Sequence, residues 1–224
     1  MKNFVWLVLL VCVVAFSGCG FHLYGLLGRE ERSATGIYFP LEGKWKPILR
    51  SFGYWAEDRS GYHLGEDIQR EPETPVYPMA TGIVKLAAYL PGAGLGYAVI
   101  IEYKLPNGAY CCSVSYHMRQ PMAGEGLVEG SAVFPDKPIG YVSGVPVDHQ
   151  NTTPHLHFGI RLGKFRADYP DPRTQVWFYP GYTTIYLTPE AKTKREPVKN
   201  RDYPTHKEIL GEWRAPSDFI KTHQ

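Results

Sequence analysis

The chain has 224 residues, with 24 Lys and Arg against 22 Asp and Glu, and a formal net charge of +2. So small a basic excess excludes a nucleic-acid binder that works through a cationic surface. Gly 23 and Pro 19 together make up about one residue in five, against a usual sum near 12%; they fall as punctuation between short apolar runs, which excludes a helical bundle and points to a turn-rich all-β chain.

The N-terminus opens with "FVWLVLLVCVVAF" (4–16), 13 apolar residues behind the cation Lys2. That run is short of the roughly 20 residues a helix needs to span a bilayer, and fits the core of a signal peptide. Phe16-Ser17-Gly18-Cys19-Gly20 follows. It resembles a bacterial lipoprotein signal, which implies cleavage after residue 18 and acylation of Cys19, and more than one acyl chain makes a stable anchor. An uncleaved anchor helix running on to Leu27 is the alternative. Both export the rest of the chain and tie it to a membrane. Residues 19–40 read as a spacer.

Candidate strands follow in order: "PVYPMATGIVKLAAY" (75–89), "YAVIIEYK" (97–104), "AYCCSVSYHM" (109–118), "KPIGYVSG" (137–144) and "HLHFGIRL" (155–162). Asn107-Gly108 between the second and third is a strong hairpin signal. Cys111 and Cys112 are adjacent within a strand run, where neighbours face opposite ways, so free thiols are expected. Beyond 183 the chain is charged and rich in turn residues, with a short helix expected around Ile209, Leu210 and Trp213. That tail, 183–224, is assigned no chemistry.

Chemistry concentrates in three places. "YHLGEDI" (62–68) holds His63 and Asp67, "SVSYHM" (113–118) ends near His117, and "TTPHLHFGI" (152–160) holds His155 and His157. Residues i and i+2 of a strand share a face about 7 Å apart, so His155 and His157 aim into one volume. Gly65 between His63 and Asp67 argues for an extended segment with a bend. Imidazole nitrogen and carboxylate oxygen are both good zinc donors. Each piece alone has an ordinary reading: a solvated strand face, or a turn with a surface His and Asp.

Taken together, His63-x-Gly-x-Asp67, the strand-end His117 and His155-x-His157 after Thr153-Pro154 resemble the lysostaphin/LytM-type zinc metalloendopeptidases of peptidoglycan. "LRSFGYW", "TPVYPMATGIVKLA", "GLGYAVIIEY" and "KPIGYVSG" extend the resemblance over about residues 46–162. It implies one zinc ion held by His63, Asp67 and His157 with water in the fourth place, and His117 and His155 as the catalytic pair, their separate roles open. It implies an all-β, mainly antiparallel β-sandwich of barrel-sandwich-hybrid type as the peptidase core, over residues 41–182. Loops 54–62, 90–96 and 144–154 would wall a groove, with Asp148 or His149 near substrate. The family often carries Tyr two residues before the strand-end histidine; here that position is Ser115. Tyr116, adjacent to His117, is expected to point away from it, leaving Tyr54 or Tyr62 as tyrosine donors. Glu66 is a spare carboxylate or a solvated one. The function implied is hydrolysis of wall cross-bridges by a monomer at the cell envelope, with the peptidoglycan peptide and the membrane as partners. A non-catalytic regulator of wall amidases and a peptidase of secreted proteins are the alternatives.

Overall fold

The computed structural model describes residues 32–33, 35–46, 48–56, 61–90, 95–144, 153–166 and 211–224. The lipoprotein-type signal and Cys19 lie outside these, as do Asp148, His149, most of the expected groove loops, and the tail up to residue 210. Among the described residues no helix is long and apolar enough to cross a membrane.

Among the described residues there are twelve strands: β1 (Ile48–Arg50), β2 (Trp55–Ala56), β3 (Gly61–Tyr62), β4 (Glu66–Gln69), β5 (Pro75–Val76), β6 (Gly82–Leu90), β7 (Gly96–Lys104), β8 (Tyr110–Met118), β9 (Ala132–Val133), β10 (Gly140–Tyr141), β11 (His155–Leu162) and β12 (Trp213–Arg214). The helix α1 (Pro216–His223) follows β12, and Gly211 and Glu212 before β12 are also helical. Eight strands form an antiparallel sheet in the order β1-β4-β11-β8-β7-β6-β9, with β12 also pairing β11. β5 and β10 form a separate two-stranded ribbon, as do β2 and β3.

β6, β7, β8 and β11 coincide with the expected runs. The expected run 75–89 divides in two, since Pro78 lacks the N–H that would continue a ladder. β7 and β8 turn at Pro106-Asn107-Gly108: Gly108 N donates to the Leu105 carbonyl at 2.9 Å, and Leu105 N donates to Ala109 O at 2.8 Å. Gly108 supplies the left-handed residue, with φ of 82°, so the hairpin closes by a three-residue loop.

Alternation sorts the central strands onto two faces. Val99, Ile101, Tyr103, Cys111, Leu156, Phe158 and Ile160 pack on one side with Ile37, Trp45, Val76, Met79, Ile139, Phe219 and Ile220. Ala98, Ile100, Cys112, Val114 and Tyr116 pack on the other with Leu64, Leu86 and Trp213. Both faces of the sheet centre are covered, which is why β7 reads as a continuous apolar run instead of alternating. The layering is antiparallel and all-β as expected. Among the described residues the second layer is no full sheet: it is the β5–β10 ribbon, the segment around residues 37–45 and α1, and β1 and β9 are the edge strands of the main sheet.

Cys111 and Cys112 are free and buried, on opposite faces. Burial pushes both thiols up to about 12, so neither is a thiolate nucleophile at neutral pH. The C-terminal expectation is corrected in one respect. Ile209 and Leu210 lie outside the described residues and Gly211 and Glu212 are helical, but Trp213 is in a strand, paired with Arg161, and a further helix begins at Pro216, whose fixed φ suits a first helical turn. Trp213, Phe219 and Ile220 are buried in the core.

Candidate metal centre

β4 and β11 lie side by side, and their register sets His157 directly opposite Asp67. Opposed residues point to one face, so Asp67 and His157 share a side of the sheet. His63 arrives from the bend after β3. Its backbone is fastened to the preceding turn, Gly53 N donating to His63 O and His63 N to Tyr54 O, both at 2.8 Å. Its Nδ1 is 3.0 Å from the Ser51 carbonyl. A carbonyl only accepts, so Nδ1 carries the proton and Nε2 presents its lone pair to the site.

The three donors form a nearly equilateral triangle. His63 Nε2 is 2.9 Å from His157 Nδ1 and 3.0 Å from Asp67 Oδ1, and His157 Nδ1 is 2.9 Å from Asp67 Oδ1. All three side chains are buried. Donors about 2.0–2.1 Å from one ion at tetrahedral angles stand about 3.3 Å apart, so an opening of a few tenths of an ångström seats a metal on the trio. The residues expected as ligands are thus together, and the donor set suits zinc.

Gly65 is what lets the bend approach β11. A Cβ there would stand 2.5 Å from the Phe158 carbonyl oxygen and 2.8 Å from His157 Nε2. Gly159 does the same from the other side, where a Cβ would meet the Leu64 carbonyl oxygen at 2.7 Å. The glycine inside His-x-Gly-x-Asp is therefore a packing requirement of the trio.

Electrostatics follow from burial. Burial pushes the His157 imidazole down to about 4, against the pull of Asp67, so the ring is neutral. Burial works to raise Asp67, yet the adjoining His157 and His63 imidazoles hold its carboxyl well below the usual range. A carboxylate beside the neutral His157 imidazole suits a divalent cation.

His155 shares the face of His157. Its Nδ1 is 2.8 Å from the Thr153 carbonyl, which makes Nδ1 the donor and Nε2 the acceptor. That Nε2 is buried, 4.0 Å from Asp67 Oδ2, and has no protein hydrogen-bond partner. His117 lies alongside, its ring centroid 4.5 Å from that of His155 and 6.2 Å from that of His157.

The reach of His117 has a local cause. Its φ is 64°, in the left-handed region that a side chain rarely adopts. β7 is bulged opposite, with Gly96 and Tyr97 both pairing Met118, and a bulge re-aims the neighbouring side chains. Tyr116, expected to point away from His117, nevertheless lies against the trio. Tyr116 pairs across the ladder with His157, and its ring stacks on that imidazole at 5.2 Å and 10°. His117 departs from strand alternation, so both rings serve one site. Tyr54, by contrast, is 53% exposed. No feature of the local sequence marks Tyr116, because its position depends on a register set between distant strands. Glu66 is buried on the opposite face and does not join the site.

Residues 61–169 match the family model described as Peptidase family M23. Among solved structures, the chain is similar to a zinc-containing peptidase from Vibrio cholerae (19% identity, TM-score 0.45, covering 57% of this chain and 37% of that one). It is similar to the catalytic domain of the antimicrobial peptidase lysostaphin from Staphylococcus simulans (21% identity, TM-score 0.42, covering 54% and 83%). It is also similar to a variant of the catalytic domain of the prophage-encoded M23 protein EnpA from Enterococcus faecalis (21% identity, TM-score 0.42, covering 59% and 90%). The chain spans well under two thirds of the first of these. None of the curated proteins compared with it matches. The histidine and aspartate trio lies within the stretch that matches peptidase family M23.

Proposed function

We propose that the protein is a zinc-dependent endopeptidase that hydrolyses peptide cross-bridges of peptidoglycan. The observation that carries this reading is the buried triangle of His63 Nε2, Asp67 Oδ1 and His157 Nδ1, with edges of 2.9–3.0 Å, flanked by two further imidazoles. Zinc held by these three residues would supply a water acidified to a pKa of about 7 and a Lewis acid for the scissile carbonyl. The remaining work falls to the chain. His155, its Nδ1 proton committed to the Thr153 carbonyl, offers Nε2 as the acceptor of a proton and returns it to the leaving amine. His117 is placed to donate to a developing oxyanion. Tyr116 and Gly65 hold His157 in the orientation that turns Nδ1, and not Nε2, toward Asp67 and His63.

The reading extends to a cell-envelope location through lipidated Cys19. Purified sacculi incubated with the protein should release cross-bridge peptides, and a chelator should stop the release. His157→Ala should lose zinc and activity, whereas His117→Ala should keep zinc and lose activity. Sacculi left intact by the zinc-loaded protein would refute the proposal. Metabolic labelling with palmitate, abolished in Cys19→Ala, tests the anchor.

A further inference from the structure

Asp67 faces the site, and its neighbour Glu66 faces the opposite side of the same strand. Glu66 is 4% exposed. A carboxylate so buried, with no cation paired to it among the described residues, must be satisfied by hydrogen-bond donors. Its donors come from both ends of the chain. Trp45 Nε1 donates to Oε2 at 2.5 Å. Ser217 N donates to the same oxygen at 3.2 Å, and Ser217 Oγ donates to Oε1 at 2.7 Å. Ser217 lies in the first turn of α1, where backbone N–H groups have no partner within the helix and the dipole favours an anion.

The same strand is held at its other end. Arg70, just after β4, donates to the carbonyls of Lys46 and Lys44. The Trp45 ring lies 4.9 Å from Phe39 and meets Phe158 edge-on at 6.0 Å. Phe219 and Ile220 pack α1 into the core. β4 therefore has β1 on one edge, β11 on the other, and Glu66 fastened beneath. Both straps lie outside residues 61–169, the stretch that matches the family.

We infer that Glu66 is a positioning residue that couples Trp45 and Ser217 to the height of the Asp67 carboxylate, so that metal affinity in this chain depends on segments before and after the peptidase domain. This rests on the zinc reading of the trio. The physical reason is leverage: adjacent residues of one short strand share a backbone, so the hold on Glu66 sets how far the Asp67 carboxylate can move toward or away from the two imidazoles, and metal affinity depends on that spacing.

The test uses the full chain. Zinc affinity is measured by chelator competition, the ligand field by the visible spectrum of the cobalt-substituted protein, and folding by thermal melting. Ser217→Ala removes one donor and leaves Phe219 and Ile220 in place. It should weaken zinc about ten-fold, as loss of an outer contact does, and change the cobalt spectrum, while Ser217→Thr restores both. Trp45→Phe should act in the same direction through the other strap. Zinc affinity within two-fold of the unmodified chain in both folded variants, with only the melting temperature lowered, overturns the inference and leaves a merely structural role. An unmodified chain that binds no zinc overturns the zinc reading itself.

Discussion

Gly65→Ala isolates the geometry of the site in a single methyl group. The added Cβ would stand 2.5 Å from the Phe158 carbonyl oxygen and 2.8 and 2.9 Å from Nε2 and Cε1 of His157. Carbon and oxygen atoms in ordinary contact sit near 3.3 Å or more, so relief requires about 0.8 Å of movement against a backbone atom in the middle of β11. Overpacking of this kind costs about 1–3 kcal/mol. At about 2–4 °C per kcal/mol for a chain of this size, the midpoint of melting should fall by about 2–12 °C. The effect on metal should be larger than on folding, because the displaced groups are the ligand ring and the bend carrying His63. We expect zinc affinity to fall at least about ten-fold. Gly124→Ala is the control: its φ is 85° with nothing near a built Cβ, so it should cost about 1 kcal/mol of left-handed strain and leave zinc untouched. Zinc affinity and melting of Gly65→Ala equal to those of the unmodified chain would show that the bend does not press on β11 as described.

The remaining expectations concern the rings around the trio and their protons. His117→Gly should be about 1 kcal/mol more stable to urea than His117→Ala, since only glycine takes φ of 64° without strain; an alanine variant of equal stability would remove the strained-backbone account. Tyr116→Phe should bind zinc within two-fold of the unmodified chain, and Tyr116→Ala about ten-fold more weakly, because the stacked ring fixes His157. The reverse order would assign the effect to the hydroxyl. In metal-free protein, His157 has a folded value of about 4 against about 6.5 in an unfolded chain. The unfolded state thus binds a proton below pH 6.5 that the folded state refuses. The stability this group contributes is complete above pH 6.5 and is lost as pH falls toward 4. Between pH 7 and pH 4.5 the loss should be about 2–3 kcal/mol, measured as the extra drop in urea stability relative to His157→Gln. Equal pH dependence in the two proteins contradicts a buried neutral imidazole.

The local content of the site was legible in the residues. His155-x-His157 declares a shared face because alternation along a strand is a property of the backbone alone. Asn107-Gly108 declares a hairpin because few residues accept the turn. The opposed faces of Cys111 and Cys112 follow from the same alternation. His63 and Asp67 were recognisable by spacing and by their resemblance to a family, although nothing in the five residues from 63 to 67 states how the bend is held. The short strands β1, β4 and β12 were not legible: two to four residues carry too little periodicity, and they exist because longer neighbours offer them an edge.

What the amino-acid sequence determined by itself was therefore the ligand types, the strands long enough to show a period, and the place of the glycines. Only the tertiary structure decided that Asp67 stands opposite His157, that Tyr116 covers the same imidazole, that His117 leaves strand alternation to join His155, and that Glu66 ties Trp45 to Ser217. The physical reason is range. Alternation and turn chemistry act over a few bonds and are written in neighbouring residues. Register between β4, β8 and β11 is settled by burying two faces of one sheet at once, a condition that involves residues far apart along the chain.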